Sequence, residues 1–230
     1  MLKEPAQWKI TCDNAIFEAS RKDERFPFIV ALARAMNALN FAHSPTLYAG
    51  DRETPDARRD RLNSYFLVSA ILYEVLKLVE TMHKVFKDDP EFQNGLRLVA
   101  KDKGAETFKQ DNLDPLRNGA VFHFLPGKFA ETLNKATCNE CSFIEAEGMA
   151  NKCVYYPFAD VITAEMLVGV ASDDEVFDKA LIEAMQKTRD LVLKLTLTTE
   201  TLIIARLKGW GFRLDSAPEE PVSPESPPQG

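Results

Sequence analysis

Residues 65–86, YFLVSAILYEVLKLVETMHKVF, decide the fold class of this chain. Apolar side chains recur there every three or four residues, which is the spacing of one buried face of an α-helix. These side chains are Tyr65, Val68, Leu72, Leu76, Val79, Met82 and Phe86. Thr54 followed by Pro55 has the pattern of an N-cap and a first helical residue, so a long helix is predicted from residue 55 to about Lys87.

Helical patterns also flank this segment. The spacing of Phe28, Leu32, Met36 and Leu39 predicts a helix that begins at Phe26, and residues 43–54 are predicted as a loop. Shorter helices are predicted at residues 90–102, 104–112, 128–137 and 160–170.

The last long helix is predicted to begin at Ser172–Glu175, which has the pattern of a capping box. It is predicted to run to about Lys208, with Gly209 as its C-terminal stop. The leucines at positions 191, 193, 195 and 197 alternate as in a β-strand, but strong helix formers lead into them without a break. We therefore expect a helix.

One region has the pattern of strands. Residues 142–147 and 152–158 are rich in β-branched and aromatic side chains and are separated by a turn, which predicts a β-hairpin. The chain is therefore predicted to be mainly α, an up-and-down helical bundle of four to five long helices with a small β-hairpin inserted at about 142–158. A single domain is expected over residues 25–212. An irregular segment, 1–24, with a short helix around Ala15–Ser20 precedes it, and a disordered, acidic, proline-rich tail, 213–230, follows it.

Composition limits the classes of function. The net charge of −7 argues against a general nucleic-acid binder, although more than half of the acidic excess lies after residue 214. The N-terminus has no apolar run typical of a signal peptide, and Glu74, Lys77 and Glu80 interrupt the most apolar helix. We therefore expect a cytoplasmic protein with no membrane association.

The four cysteines are too few for a disulfide framework in a chain of 230 residues, so they are expected to be reduced thiols. Cys138, Cys141 and Cys153 lie close enough in sequence for a zinc site, but such a site needs a fourth ligand. The sequence therefore predicts no metal and no other cofactor.

The stretch Arg117-Asn118-Gly119-Ala120-Val121-Phe122-His123 places a guanidinium, an amide and an imidazole in an apolar, aromatic-rich part of the chain. Asp114–Pro115 predicts the start of its helix and Pro126–Gly127 predicts the end. Arginine binds two phosphate oxygens with its planar fork, and unperturbed histidine titrates near neutral pH. The first turn of a helix also favours an anion, because its N–H groups and dipole are positive. The stretch is therefore a candidate site for phosphate chemistry.

An arginine, a polar residue directly after it, a short apolar stretch and a histidine, in a late helix of a mainly helical chain, resemble the signature of the HEPN superfamily. The resemblance covers about residues 26–125 and the last long helix. It implies a metal-independent endoribonuclease with Arg117 and His123 as catalytic residues, and with Asn118 binding the substrate phosphate or orienting His123. It also implies RNA as substrate, a homodimer whose two motifs line one cleft, and a toxin–antitoxin, anti-phage or RNA-processing setting with an antitoxin or other protein partner.

In such an enzyme the 2′-hydroxyl of RNA attacks the adjacent phosphate. His123 then acts as general acid or base, and Arg117 stabilises the charge on the phosphoryl oxygens. Some members of the superfamily have lost catalysis. The alternative is therefore a non-catalytic HEPN-like helical module that binds a protein partner or RNA.

The spacing raises a geometric question. Residues six apart on an undistorted α-helix are about 240° out of register, so Arg117 and His123 do not share a face. Two arrangements bring them together, either a local distortion at Gly119 or a meeting across the two-fold axis of a dimer. The resemblance favours the dimer.

Each residue of the stretch also has an ordinary structural interpretation. Arg117 pairs with Asp111 or Asp114, Asn118 caps the start of a helix, and His123 is a core histidine bonded to a backbone carbonyl.

Other titratable residues are predicted to be structural. His83 is expected in the core or at its rim, and Glu74 and Glu80 are expected to face solvent.

Overall fold

The computed structural model of the chain describes residues 8–49, 55–135, 145–146, 154–155, 157–172 and 175–216. These residues are mainly helical, with two small antiparallel pairs of strands. The α-helices are α1 Asn14–Ser20, α2 Phe26–Ala49, α3 Pro55–Met82, α4 Arg97–Ala100, α5 Lys103–Phe108, α6 Asp114–Leu116, α7 Pro126–Leu133, α8 Pro157–Val168 and α9 Phe177–Gly209. The strands are β1 Trp8–Thr11, β2 Glu145–Ala146, β3 Val154–Tyr155 and β4 Arg213–Ser216. Three π-helical turns lie at Phe92–Leu96, Lys109–Leu113 and Arg117–Val121.

Helices α2 and α3 begin where the sequence predicts them, at Phe26 and Pro55. The loop predicted at residues 43–54 is wrong over 43–49, because α2 continues to Ala49. Proline fixes φ near a helical value, and its cost inside a helix is the loss of one hydrogen bond and a local clash. Helix α3 ends at Met82 rather than near Lys87, since the N–H groups of Val85 and Phe86 both donate to the Met82 carbonyl and turn the chain.

The last long helix is confirmed from Phe177 to its predicted end at Gly209. The leucines that alternate along it lie on different faces of the helix. Leu191 and Leu195 are buried, whereas Leu193 and Leu197 are 52% and 65% exposed. The start at Ser172 is wrong, because the Ser172 N–H donates to Glu165 Oε1 on α8 at 2.7 Å and α9 begins five residues later, at Phe177.

The predicted hairpin corresponds to β2 and β3, which pair antiparallel with Glu145 opposite Tyr155. Residues 157–158, predicted as strand, are instead helical, because Pro157 takes the first position of α8, where its missing N–H costs nothing.

A second pair of strands joins the two ends of the described chain. β1 lies in the segment predicted as irregular, and it pairs antiparallel with β4, at the start of the predicted tail. The short helix predicted within that segment is confirmed as α1, with Asp13 as its N-cap. The Trp210 indole packs edge-on against Phe26, with ring centroids 5.2 Å apart, and donates to Asp23 Oδ2 at 3.0 Å.

The core lies between α2, α3 and α9, with the helical segments 92–121 and α8 packed against them. Fully buried side chains from each of these elements meet there, including Leu32, Leu72, Leu116, Leu167 and Leu195.

One helix of the described residues, Arg59–Met82 within α3, is long and apolar enough to cross a membrane by length and composition. Of its most apolar window, 56% is buried inside the protein. The core helix of a protein outside the membrane passes the same test, so this segment is only weak evidence for a membrane span.

Candidate active site

The residues from Lys103 to Val121 form one continuous helical stretch in which α- and π-helical turns alternate. The N–H of Asp114 donates to the Lys109 carbonyl, five residues back. A proline in an α-helix clashes with the carbonyl four residues earlier, and a wider turn just before Pro115 relieves that clash. Asp114 is the first residue of α6, but α6 continues the preceding π-helical turn without a break, so the prediction that Asp114–Pro115 opens a new helix is wrong.

The helical stretch ends at Val121 in a second wide turn, which the Phe122 N–H closes by donating to the Arg117 carbonyl at 3.3 Å. The backbone then reverses, with Phe124 in the left-handed region at φ +43°. The Leu125 N–H donates back to the Gly119 carbonyl at 2.9 Å. His123 therefore lies in a bend outside the helix, and Pro126 begins α7 instead of ending the preceding helix.

This reversal brings the two predicted catalytic residues together. Arg117 Nη1 lies 3.1 Å from His123 Nε2, within a single chain. Of the two arrangements that the spacing allows, the described residues form the local distortion around Gly119.

Gly119 permits close packing at the centre of the distorted turn. A Cβ atom at this position would lie 2.9 Å from Met166 Sδ on α8 and 3.2 Å from Lys128 Cβ on α7. The absence of a side chain lets the turn sit directly against these two helices.

Arg117 is held on three sides. Its Nε lies 2.6 Å from Glu74 Oε1 in an ion pair whose angle departs from that of a hydrogen bond. Its Nη1 donates to Asn118 Oδ1 and to His123. Its guanidinium carbon lies 5.8 Å and 5.7 Å from the ring centroids of Tyr73 and Phe122, within cation–π range. Among the described residues Nη2 has no polar partner, and the side chain is 22% exposed.

Asp114 holds in place two of the residues that surround Arg117, namely Asn118 and Tyr73. Asn118 Nδ2 donates to Asp114 Oδ1 at 2.7 Å, so both ends of the Asn118 amide are engaged. The hydrogen bond between Tyr73 and Asp114 raises the pKa of the Tyr73 phenol, because ionising it would place two negative charges together. Tyr73, Asp114, Asn118, Arg117 and His123 thus form one connected polar network.

His123 is exposed, so the alternative of a core histidine bonded to a backbone carbonyl is wrong. A guanidinium only donates hydrogen bonds, so Nε2 is the acceptor in its contact with Arg117. The neutral ring therefore carries its proton on Nδ1.

The ordinary structural interpretations of Arg117 and Asn118 are also wrong. Arg117 pairs with Glu74 rather than with Asp111 or Asp114. Asn118 lies inside a helical stretch and does not cap its start. Its direct contact with a substrate phosphate stays a prediction.

The expected contribution of a helix dipole is also wrong. Arg117 begins the last turn of the stretch, where the free backbone groups are carbonyls and the dipole is negative. Any attraction for an anion at this place must therefore come from the arginine side chain itself.

Tyr73 and Glu74 are site residues that the sequence interpretation missed. Glu74 was expected to face solvent; its side chain is 43% exposed, and it pairs with Arg117. The available signal was a carboxylate within the otherwise uncharged segment 65–76. Glu80 likewise pairs with Lys109, at 2.6 Å, and His83 is exposed rather than in the core.

Among the described residues no group of three or more His, Cys, Asp or Glu side chains is placed to hold a metal ion. Cys12 is a half-buried free thiol. Cys138, Cys141 and Cys153, the residues of the conceivable zinc site, lie outside the described residues.

Comparison with protein-family models, with curated proteins and with solved structures gave no match to this chain. The likeness to HEPN proteins therefore rests on the residues themselves.

Proposed function

We propose that this protein is a HEPN-like, metal-independent endoribonuclease. The observation that carries the proposal is the 3.1 Å contact between Arg117 Nη1 and His123 Nε2, at an exposed imidazole. An arginine and a histidine in contact, with one guanidinium nitrogen unpartnered in the described chain, suit a reaction that builds charge on a phosphoryl group and moves protons.

The reaction begins when a substrate phosphate takes hydrogen bonds from Arg117. As Arg117 Nη2 binds a phosphoryl oxygen, the contact between Nη1 and His123 opens, and His123 Nε2 is released as a base. It removes the proton from the ribose 2′-hydroxyl, whose oxygen attacks the adjacent phosphorus. The bond to the 5′-oxygen breaks, and the imidazolium returns a proton to that oxygen. The products are a 2′,3′-cyclic phosphate and a 5′-hydroxyl.

The surrounding residues hold the arginine in place. Glu74 and Asn118 fix the plane of its guanidinium through Nε and Nη1, which leaves the Nη2 edge for substrate. The proposal includes a homodimer and an up-and-down arrangement of the long helices, as the HEPN resemblance implies. Because the pair forms within one chain, each subunit of such a dimer carries its own Arg117–His123 pair.

The test is cleavage of single-stranded RNA by the purified protein in excess EDTA, with analysis of the product ends. We expect 2′,3′-cyclic phosphate ends and a rate that falls at least about 100-fold in His123→Ala, the usual scale of general acid–base catalysis. His83→Ala, at an exposed histidine outside the network, is the matched control and should keep the wild-type rate. Equal rates in wild type and His123→Ala would end the proposal.

A non-catalytic helical module that binds RNA or a protein partner is the second candidate. It is favoured by Glu74, whose carboxylate lies 2.6 Å from Arg117 Nε and offsets its charge, and by the net charge of −7. Under this alternative the protein binds its partner and the His123→Ala variant binds equally well, with no RNA cleavage by either.

A further inference from the structure

A groove between α2 and α3 lies directly beside the proposed active site. Its volume is about 410 Å³, within the range of roughly 300–1,000 Å³ typical of small-molecule sites. Phe122 and Glu74 belong both to the groove and to the surroundings of Arg117. A ligand in the groove is therefore adjacent to the group proposed to bind the phosphate.

The walls of the groove suit a flat aromatic ring. On α2 the wall includes the small side chains Ala31, Ala35 and Ala38, and on α3 it includes Ile71 and Leu78. Phe122, 42% exposed, adds an aromatic ring beside the groove. A nucleobase can stack on such an aromatic side chain only when it is free of its own duplex.

Among the described residues, the charged side chains that line the groove are those of Arg34 and Glu74. Arg34 is exposed and forms no ion pair among the described residues, so its charge is available to a phosphate along the same strand. The Glu74 carboxylate accepts hydrogen bonds, and cytosine, adenine and guanine carry an exocyclic amine that donates one. Uracil has a carbonyl oxygen in place of the cytosine amine, which a carboxylate repels.

We infer that this groove is the subsite for an unpaired, amine-bearing nucleobase of the RNA strand, next to the phosphate bound by Arg117. The inference rests on the proposed ribonuclease function and adds two properties to it. The substrate is single-stranded, and cytosine is preferred to uracil in the groove.

The test measures binding rather than cleavage. Short 2′-O-methyl oligonucleotides lack the attacking hydroxyl, so wild-type protein can be titrated with labelled oligocytidine, oligouridine and a duplex of the same length. We expect oligocytidine to bind about tenfold more tightly than oligouridine, and the duplex to bind more weakly than either. Ala35→Leu and Ala38→Leu, which fill the groove, should each weaken oligocytidine binding about tenfold and remove the preference.

Ala33→Leu is the control, since it lies on the same helix and does not line the groove. It should bind as wild type does, and thermal unfolding of all variants identifies any that fail to fold.

If a folded groove variant keeps wild-type affinity and preference while wild type cleaves RNA in EDTA, the groove assignment is overturned and the ribonuclease proposal stands. If wild type neither binds nor cleaves RNA, both are overturned. If oligocytidine and the duplex bind equally, or a protein surface covers the groove in solution, the assignment to an unpaired base is also overturned.

Discussion

At the scale of single residues, the central feature is how Arg117 is held. Its Nε and Nη1 are occupied by Glu74, Asn118 and His123, and its plane lies near two aromatic rings. These contacts lower the conformational entropy that the side chain would lose on binding a phosphate. The arginine is therefore prepared for a ligand on its remaining edge.

Replacing Arg117 by lysine tests this arrangement. A lysine has one point charge in place of a planar fork, so it cannot contact Glu74, Asn118 and a phosphate at fixed angles together. We expect the single-turnover rate of RNA cleavage to fall by about 10- to 100-fold. A decrease of this size corresponds to the loss of about one charge-assisted hydrogen bond to the phosphoryl group in the transition state. The α-helical circular dichroism should not change. Arg97→Lys, outside the site, is the control, and full activity of Arg117→Lys would show that the fork has no role.

The Tyr73 hydroxyl can be tested independently. In Tyr73→Phe the Asp114 carboxylate loses the hydrogen bond from the Tyr73 hydroxyl, while the ring near Arg117 remains. We expect the free energy of unfolding to fall by about 1 kcal/mol, the usual worth of a hydrogen bond. The cleavage rate should also fall, because Asp114 positions Asn118 and, through it, Arg117. An unchanged rate with reduced stability would show that the hydroxyl only stabilises the fold.

At the scale of secondary-structure elements, the site depends on the π-helical turn Arg117–Val121 and the reversal that follows it. The spacing of residues in the sequence predicted a straight helix with His123 inside it. Spacing of i,i+3 and i,i+4 cannot distinguish an α-helical turn from a single wider turn. The wide turn is favoured by tertiary packing, in which Gly119 lies against α7 and α8. The sequence thus identified Arg117 and His123 but not how they meet.

Gly119→Ala tests the importance of that turn. The added Cβ would lie 2.9 Å from Met166 Sδ, so the turn or its neighbours must move. We expect a loss of about 1–3 kcal/mol in stability, as for other overpacking changes, together with reduced RNA cleavage because His123 moves away from Arg117. Gly127→Ala in α7 is the matched control, since its Cβ would meet nothing within 4 Å. Wild-type stability and activity in Gly119→Ala would contradict this view of the turn.

Other elements show what a single sequence can and cannot predict. The start of α3 at Pro55 was predictable, because proline fixes its own φ. Helix α9 ends at Gly209 as predicted, but Gly209 is itself helical, and the left-handed glycine that follows the helix is Gly211, at φ +89°. The continuation of α2 to Ala49 was not, since tertiary contacts can compensate for a proline within a helix. The ion pair of Glu74 with Arg117 joins residues far apart in the chain, and no local spacing encodes it.

At the scale of the whole molecule, the two ends of the described chain are tied together. β1 pairs with β4, and Trp210 donates to the carboxylate of Asp23, which also accepts hydrogen bonds from Arg25. A strand pair between opposite ends of the chain has no sequence signature nearby, so neither strand was predicted. The contacts of Asp23 contribute stability that depends on pH.

Asp23→Asn measures that contribution. The side-chain hydrogen bond from Arg25, followed by those from the Arg25 backbone and Trp210, holds the pKa of Asp23 well below its usual 3.8. The folded protein then binds fewer protons at this group than the unfolded chain does. Its stabilisation is therefore present above about pH 4 and is lost as the pH falls below that value. We expect urea unfolding of Asp23→Asn to show a loss of about 1–3 kcal/mol at pH 6 and a smaller loss at pH 3.

Asp88→Asn, at an exposed aspartate, is the control for that experiment and should unfold as wild type does at both values of pH. An equal loss in Asp23→Asn at pH 6 and pH 3 would show that the charge of Asp23 does not stabilise the fold.

The most direct measurement is RNA cleavage in EDTA by wild type, Arg117→Ala, His123→Ala and an equimolar, co-refolded mixture of the two variants. Because the two side chains meet within one chain, 3.1 Å apart, mixed subunits of a dimer cannot restore an intact pair. We predict cleavage by wild type, leaving 2′,3′-cyclic phosphate ends, and cleavage at least about 100-fold slower by either variant and by their mixture. Recovery of activity in the mixture, or no cleavage by wild type, would contradict a metal-independent site completed within a single subunit.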